Sequence, residues 1–436
     1  MILNKIVTSL ITRPYRKQSA SGILLLKKDS GRAGMTKRAN IISVYIIGRN
    51  GRSEAGFTLV ELMVTMVAFV LVISAASQMF TSLLTQFKQQ SKIAETSIEG
   101  IVGLNILRQD ISHAGLGLPW NVTGIVDSNG DDNIDFLDVV PDYSETAEAG
   151  YSPYNDAPNN PPSAFRSGDG AGPVGAGSDY LVIKSASAST DIAAGKNTRL
   201  TSALPPDHVR NWGLYTEDLE NTDRVIVLSP GNSDDTFRSL IVTGGSYQPQ
   251  YSTVASYSPA DNTDVRMVYG ISSSGTLRAP FNRSDYYISA NNVPRCAAGT
   301  GVLVRATLVH STGRFTEMPI LDCVADFQVV YAMDNDEDGD FENGVGGDAY
   351  TNSLAGLTAE MIRTRVKEVQ VYILAHEGQR DPSFTFNNFT GACDTCMLVG
   401  RSNVFGHDDF DLSNLADFDQ YRWKLYTLAV QTENLR

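Results

Sequence analysis

The feature that most constrains this chain is an almost unbroken apolar run from Phe57 to Phe80, "FTLVELMVTMVAFVLVISAASQMF". About 20 apolar residues are enough for a helix to cross a bilayer, so residues 57–80 are predicted to form a transmembrane helix. Glu61 is the only charged residue in the run. A carboxylate at membrane depth must find a partner or become neutral, so its presence indicates a specific role.

The distribution of charge predicts how this helix is oriented. Residues 1–56 contain 11 lysines and arginines and two acidic residues, whereas residues 57–436 contain 24 basic and 47 acidic residues. Because basic flanks stay on the cytoplasmic side, residues 1–56 are predicted to be a cytoplasmic leader and the acidic remainder to be exported. A body this acidic is also a poor candidate for nucleic-acid binding, which needs Lys and Arg at the phosphates.

Helical patterning continues beyond the apolar run, through residues 81–118. Apolar residues recur there with a period close to 3.6, and Gly115 and Gly117 are predicted to end the helix. These apolar residues are Leu83, Leu84, Phe87, Ile93, Ile98, Ile101, Leu104 and Leu107. The continued pattern and Glu61 argue against a secretory signal peptide, for which "SAAS" at 74–77 is the nearest cleavage-like text. Residues 81–118 are therefore predicted to be an amphipathic half-helix that packs on a globular body.

The body, residues 119–436, is predicted to be rich in β-strands. Nine strand-like runs are separated by turn residues, and many of them alternate apolar and polar residues, which favours antiparallel strands with one face on a core. The runs are 180–187, 223–230, 237–244, 263–272, 284–290, 301–310, 323–334, 366–376 and 421–432. Residues 141–179, rich in Pro, Gly, Ser, Asn and Asp, are predicted to be a long surface loop. The expected fold class is α+β, a long N-terminal helix packed on an antiparallel sheet.

The start of the apolar run resembles a known processing signal. "GFTLVEL", in which Gly56 is followed by Phe57 and a glutamate stands at the fifth residue of the run, is similar to the N-terminal signal of type IV pilins and pseudopilins. The resemblance implies that prepilin peptidase cuts between Gly56 and Phe57 and that the new Phe57 amine is N-methylated. Glu61 is then expected to pair with the Phe57 amine of a neighbouring subunit and so to set the register of assembly. Met35 is an alternative start, which shortens the leader.

Three blocks near the C-terminus resemble PilW-type minor pilins. They are "VADFQVVYAMDNDEDGD", "RVKEVQVYILAHEGQRD" and "YRWKLYTLAVQTENLR", whereas residues from about Pro119 to Pro319 show no such likeness. The resemblance implies a pilin-like fold with large insertions and a structural, non-enzymatic protein that primes pilus assembly near the tip. Expected partners are prepilin peptidase, other minor pilins, the major pilin and a tip adhesin. The expected location is a single pass in the inner membrane, with a periplasmic body, followed by the extracellular pilus.

Two alternatives to this function stay open at the level of sequence. One is a J-like pseudopilin of type II secretion, which uses the same processing signal. The other is an adhesin or ligand-binding module carried on a pilin stem, through residues 141–179 or the middle region. An enzyme has no support, because the five histidines form no triad and no H-E-x-x-H arrangement.

Two acidic stretches are candidate calcium loops, and calcium is the one candidate cofactor. The first has oxygen ligands at alternating positions and a glycine, Gly339, at the sixth position of an EF-hand-like loop, but Val345 stands at the twelfth, where a glutamate belongs. Its candidate ligands are Asp334, Asp336, Asp338, Asp340 and Glu342, with Asp348 as a substitute for the missing glutamate. The weaker stretch offers Asp127, Asn129, Asp131, Asn133 and Asp135.

All four cysteines lie in the predicted exported body, where disulfides form. Four cysteines allow three connectivities; the preferred one joins Cys393 to Cys396 and Cys296 to Cys323. Zinc binding is the alternative use of the C-x-x-C pair. Its ligands would be Cys393, Cys396, His407 and Asp408.

Overall fold

The computed structural model describes residues 56–123, 161–169, 177–205, 207–231, 237–273, 275, 277–291, 293–402, 404 and 409–435. The leader up to residue 55 and the range 124–160 lie outside this description. The weaker acidic stretch, Asp127–Asp135, therefore falls outside the described residues as well.

The longest helix, α1, spans Leu59–Ser112. Among the described residues it is the one helix that is long and apolar enough, by length and composition, to cross a membrane. The predicted stop is confirmed, because Gly115 and Gly117 follow the helix with φ of 81° and 70°, a conformation that glycine adopts without steric cost. A side chain at Gly115 would also lack space, since its Cβ would lie 2.8 Å from Leu435 Cδ2.

Strands follow α1 throughout the described part of the body. They are β1 (Asn121–Thr123), β2 (Phe165–Asp169), β3 (Asp179–Lys184), β4 (Asn197–Leu200), β5 (Arg224–Ser229), β6 (Ser239–Ile241), β7 (Arg266–Ser272), β8 (Arg283–Ser289), β9 (Gly301–Val309), β10 (Arg314–Met333), β11 (Ala349–Thr351), β12 (Val366–Glu377), β13 (Cys396–Leu398), β14 (Asp409–Asp411) and β15 (Arg422–Gln431). A short helix, α2, spans Ala359–Arg365 immediately before β12. Segments of 3-10 helix lie at Tyr251–Tyr257, Leu412–Asn414 and Phe418–Gln420.

Within the described residues these strands form three sheets. The main sheet has the order β15-β12-β10-β9-β8-β3-β2, with β11 beside β10, and all its neighbouring strands are antiparallel. A second sheet has the order β1-β6-β5-β7-β4, in which β1 and β6 run parallel, and β13 pairs with β14. Each of the nine predicted runs contains a strand, and together with α1 this confirms the α+β class.

The predicted loop at residues 141–179 is wrong in its second part. β2 occupies Phe165–Asp169 and pairs with β3. The Phe165 side chain is completely buried, and its ring centroid lies 6.2 Å from that of Tyr331. One aromatic anchor among glycine, proline and serine produces no alternation of apolar and polar residues, so the composition concealed a strand. Residues 141–160 lie outside the described part of the chain.

The main core lies between the last turns of α1 and one face of the main sheet. Leu107 and Ile111 of α1 are completely buried there, together with Val329 and Val371 of the sheet. The opposite face of β10 and β12 is also buried, because Val330 belongs to a second apolar cluster. Successive residues of a strand point to opposite faces, so β10 and β12 are covered on both sides.

Candidate functional sites

The predicted cleavage site lies at the entrance to α1. Phe57 is exposed, and a Cβ added at Gly56 would meet no heavy atom of the described chain within 4 Å. The peptide bond between Gly56 and Phe57 is therefore accessible in the described part of the chain.

Glu61 has a local role that the sequence analysis missed. Its Oε2 accepts hydrogen bonds from the backbone N–H and the hydroxyl of Thr58, both at 3.0 Å, and Thr58 Oγ1 accepts one from the Glu61 N–H at 3.2 Å. This reciprocal arrangement is a capping box, and its sequence pattern is Thr-x-x-Glu at positions 58–61. Glu61 thus helps to start α1 within its own chain. Its pairing with the Phe57 amine of a second subunit stays a prediction.

The face of α1 that packs on the body differs from the predicted one. Its buried residues recur every three or four positions, as helical periodicity requires: Thr96, Gly100, Gly103, Leu107, Asp110 and Ile111. The first three are small, and a Cβ at Gly103 would overlap the carbonyl oxygen of Ile320 in β10. Close approach of the two backbones, rather than apolar bulk, decides which face of this part of α1 is turned inward.

Most of the apolar residues expected to cover the sheet are exposed instead. Leu107 is completely buried, but Ile98 and Ile101 are 63% and 65% exposed. Leu83, Leu84, Phe87 and Val102 are exposed as well. We call the six exposed residues Leu83, Leu84, Phe87, Ile98, Ile101 and Val102 the outer stripe of α1. The described part of this chain leaves the outer stripe in contact with solvent.

A buried ion pair fixes the end of α1 to the main sheet. The Asp110 carboxylate accepts hydrogen bonds from Arg305 Nε at 2.6 Å, Arg305 NH2 at 3.1 Å and the Tyr286 hydroxyl at 2.6 Å. Burial, reinforced by the Asp110 charge, raises the pKa of Tyr286 well above its usual range, so the phenol stays a donor. Asp110 lies three residues after Leu107, on the buried face of α1. An acidic residue in line with buried apolar residues of a helix is a sequence signal for a buried ion pair.

A second, more exposed tether joins the middle of α1 to the body. Arg295 donates to Glu99 of α1 and to Asp322 of β10, both at 2.8 Å. The residues that follow Arg295 and Asp322 in the sequence are Cys296 and Cys323, which form a disulfide with a Cα–Cα distance of 5.0 Å. The covalent bond therefore holds Arg295, the partner of Glu99, beside its second partner, Asp322.

The second disulfide joins Cys393 to Cys396. These two bonds are the pairs that the sequence analysis preferred. Both thiols of the C-x-x-C pair are oxidised here, and a disulfide sulfur does not serve as the thiolate ligand that zinc requires. His407 and Asp408, the other candidate zinc ligands, lie outside the described residues.

The C-terminal tail caps α1. Asn434 Nδ2 donates to the carbonyl oxygen of Ser112, the last helical residue, at 2.8 Å. Arg238 donates to the carbonyl oxygens of Asn434 at 2.9 Å and Gly115 at 3.2 Å. The final carbonyl groups of a helix have no partner within it, so Asn434 satisfies the last of them, and Arg238 holds the tail beside the turn that follows α1.

The first acidic stretch brings three of its predicted ligands together. One carboxylate oxygen from each of Asp334, Asp336 and Asp338 lies within 4.8 Å of the others. Asp340 and Glu342 are not part of this cluster. Asp348, proposed as a substitute ligand, instead accepts hydrogen bonds from the backbone N–H groups of Asn335 and Glu342.

Comparison with known proteins yields two family matches. The prokaryotic N-terminal methylation motif matches residues 51–77, and PilW, the type IV pilus-assembly protein W, matches residues 285–434. No curated protein and no solved structure matches the chain.

The two matches cover part of the features described above. The first includes the Gly56–Phe57 bond and Glu61, and the second extends from β8 to the capping tail, including Arg305 and both disulfides. The second sheet, built from β1 and β4 to β7, lies outside both matches. An N-terminal methylation motif, a membrane-length apolar helix and a PilW region together support a type IV pilin-like PilW protein, a minor pilin involved in pilus assembly.

Proposed function

We propose that this minor pilin primes pilus assembly at the inner membrane and then stays near the tip of the pilus. The observation that carries the proposal is that α1 has two distinct packing faces. One face, from Thr96 to Ile111, is occupied by the body of the same chain. The other, the outer stripe, presents apolar side chains to solvent, which favours burial against other subunits.

The two faces lie on different sides of the helix. At 3.6 residues per turn, positions two residues apart are separated by roughly 200°. Ile98 follows Thr96 by two residues, and Ile101 precedes Gly103 by two residues. A neighbouring helix can therefore cover Ile98 and Ile101 without displacing the contacts at Thr96 and Gly103.

The N-terminal residues supply the second part of the proposed mechanism. Cleavage after Gly56 creates a cationic amine at Phe57, and Glu61 of an adjacent subunit offers it a carboxylate. The capping box holds Glu61 Oε2 on Thr58, which orients the carboxylate at the start of α1. Pairing between chains would neutralise both charges inside the membrane, where an unpaired charge is costly.

Family resemblance supports the expected partners and location. The proposed partners are prepilin peptidase, other minor pilins and the major pilin, with the leader in the cytoplasm and the body in the periplasm before export. The large body, with its second sheet outside the family match, favours a low-copy position at the tip over a densely repeated position in the shaft. This inference rests only on the space that a large body would occupy in the pilus.

A deletion strain tests the proposal. We expect the deletion to abolish surface pili, seen by electron microscopy, although the major pilin is still produced. Wild-type chain supplied in trans should restore them. Gly56→Ala should leave an uncut precursor on a gel and restore no pili, and Ile98→Asp with Ile101→Asp should be cut normally but also restore none.

A matched control separates the outer stripe from added charge. Asn105→Asp with Gln109→Asp places the same two charges at exposed polar positions on the same helix, and we expect it to restore pili. Normal piliation in the deletion strain would contradict priming. Normal pili with lost protein secretion would favour the J-like pseudopilin instead.

One observation favours a second candidate function, ligand binding or adhesion at the tip. Trp212 and Tyr215 are exposed, and they contact neighbouring residues: Trp212 Nε1 donates to the Asn197 carbonyl oxygen at 3.0 Å, and Lys196 Nζ lies 5.2 Å from the Tyr215 ring centroid. Exposed aromatic side chains are common at binding sites. A Trp212→Ala, Tyr215→Ala strain with normal pili but reduced surface attachment would support this function.

A further inference from the structure

The loop that joins β10 to β11 carries a cluster of carboxylates with one unusual member. Asp334 is completely buried, whereas Asp336 and Asp338 are exposed, and one oxygen from each lies within 4.8 Å of the others. Three carboxylates at this separation repel one another unless a cation lies between them.

The buried member is only partly satisfied. Asp334 Oδ2 lies 2.8 Å from Lys367 Nζ and accepts a hydrogen bond from the Gly339 N–H at 3.0 Å. Asp334 Oδ1 has no hydrogen-bond partner among the described residues. Leaving a buried carboxylate oxygen without a partner is costly, so this atom points to a ligand beyond the protein's own donors.

The remainder of the loop is held in shape by other groups. Asp348 closes it, because Oδ1 accepts from the Asn335 N–H at 2.7 Å and Oδ2 accepts from the Glu342 N–H at 2.9 Å. Gly339 has a φ of 106° at the position where an EF-hand-like loop turns sharply. Asp338 Oδ1 also accepts a hydrogen bond from the Asp340 N–H at 3.0 Å.

We propose that this loop binds a calcium ion through Asp334 Oδ1 and one oxygen each from Asp336 and Asp338. Calcium takes six to eight oxygen ligands in flexible arrangements, and backbone oxygens and water complete its shell. The site lies in the body and is independent of the proposed role in priming.

The donor set selects calcium among common cations. All three side chains offer hard carboxylate oxygens, whereas zinc prefers cysteine and histidine. Magnesium keeps most of its water and is usually bound by one or two carboxylates. The Lys367 ammonium already neutralises part of the Asp334 charge, so the affinity should be that of an extracellular module, with a Kd of about 10⁻⁴–10⁻³ M.

Thermal unfolding of the full chain in detergent tests the site. We expect the Tm to rise with calcium concentration up to about 10 mM, which is roughly ten times the weakest Kd expected for such a site, and to return to its starting value with a chelator. The same concentration of magnesium should give a smaller shift. Asp336→Asn with Asp338→Asn should remove the calcium shift and raise the Tm in chelator, because the repulsion between carboxylates is gone.

Asp340→Asn is the matched control, since it makes the same chemical change in the same loop outside the cluster. We expect it to keep the calcium shift. The absence of a shift in the wild-type chain would overturn the proposal and leave Asp334 with Lys367 as its cation among the described residues. An equal shift in the Asp336→Asn, Asp338→Asn variant would also overturn it, because the calcium would then bind elsewhere in the chain. A cooperative unfolding transition of that variant in chelator is the check that it folds.

Discussion

Arg305 of β9 and Asp110 of α1 form a bidentate pair inside the main core, with Nε and NH2 donating to the two carboxylate oxygens at 2.6 and 3.1 Å. Both side chains are almost fully buried, at 7% and 11% exposure. A buried pair contributes little net stability compared with apolar residues of similar size, but the removal of one partner leaves a buried charge uncompensated. The pair therefore specifies where α1 ends on the sheet.

Asp110→Asn tests this specification. The amide keeps the size of the side chain but leaves the Arg305 charge without a counter-charge, so we expect a loss of about 3 kcal/mol in the free energy of unfolding. Urea unfolding of the full chain in detergent measures the difference. Glu95→Gln is the matched control, because Glu95 pairs with Lys92 on the same helix and both side chains are about half exposed. The control should show no resolvable change, and equal losses in the two variants would contradict the role of Asp110.

Alanine substitutions at Gly100 and Gly103 are expected to affect stability differently, although both glycines lie on the buried face of α1. A Cβ at Gly103 overlaps the Ile320 carbonyl oxygen, whereas a Cβ at Gly100 would lie 3.3 Å from Leu321 Cδ1, the end of a flexible side chain. We expect Gly103→Ala to cost about 1–3 kcal/mol through overpacking. Gly100→Ala should be close to neutral, because alanine is favoured in a helix by about 1 kcal/mol.

Thermal unfolding of the two alanine variants distinguishes these effects. A lower Tm for Gly103→Ala alone would support close packing between α1 and β10. Equal Tm values for both variants would mean that the helix moves away from β10 without a penalty.

The sequence was informative wherever one physical signal dominated. The apolar run, the helical period that continues it, and Gly115 and Gly117 predicted α1 and its stop, and each of the nine strand-like runs contains a strand. The first half of β10 was missed because Pro319 lies within it. Proline cannot donate to the ladder and argues against a strand; here it is accommodated next to a shift in register between Pro319 and Leu321.

The candidate sites were less predictable because they depend on distance in space. The apolar residues of the second half of α1 predicted the wrong inner face, since the close approach at Gly103 depends on the β10 backbone. Asp110 and Arg305 are 195 positions apart, and a single sequence carries no signal that joins them. The capping box at Thr58 and Glu61, by contrast, is a local pattern that could have been found.

The two disulfides differ in the chain they enclose, and this difference predicts unequal effects on stability. Cys296 and Cys323 are separated by 27 residues, and Cys393 and Cys396 by 3. In the chain-entropy description, closing the longer loop stabilises the folded state by about 3–4 kcal/mol and closing the shorter one by roughly half as much. Replacing both cysteines of each pair with serine, with thermal unfolding as the measurement, should give the larger loss for Cys296 and Cys323.

The same pair of variants tests the tether to α1. Loss of the Cys296–Cys323 bond frees Arg295 and Asp322, the neighbours of the two cysteines, so amides near Glu99 should exchange faster with solvent. The Cys393–Cys396 variant is the control and should leave exchange near Glu99 unchanged. Equal exchange in both would show that the disulfide does not position Arg295.

Two buried histidines predict a loss of stability in mild acid. Burial lowers the pKa of His376 to about 3 and that of His310 to about 4. His376 Nε2 accepts a hydrogen bond from the Ala297 N–H at 2.9 Å, so this nitrogen carries no proton in the folded state. The unfolded chain binds protons at both histidines near pH 6.5. The contribution of these two neutral histidines to the free energy of unfolding is therefore complete above pH 6.5 and is lost as the pH falls toward 4.

Asp326 changes the stability of the protein in the opposite direction over the same pH range. Burial raises the pKa of its carboxyl to about 6, so the folded state takes up a proton before the unfolded state does, and stability increases as the pH falls from about 6 to 4. Taken by themselves, these two histidines and one aspartate leave a net excess of one proton in the unfolded state, which is equivalent to about 1.4 kcal/mol lost per pH unit between pH 6 and 4.

Asp326→Asn isolates these opposing contributions. The amide oxygen can still accept from the Ser178 hydroxyl, which donates to Asp326 Oδ1 at 2.8 Å, but the group no longer titrates. We expect the loss of stability between pH 6 and 4 to become steeper by about 1.4 kcal/mol per pH unit, because the folded state no longer takes up the proton of Asp326. Urea midpoints at several pH values measure the slope. A slope that is unchanged in the variant would mean that Asp326 is ionised in the folded protein throughout this range.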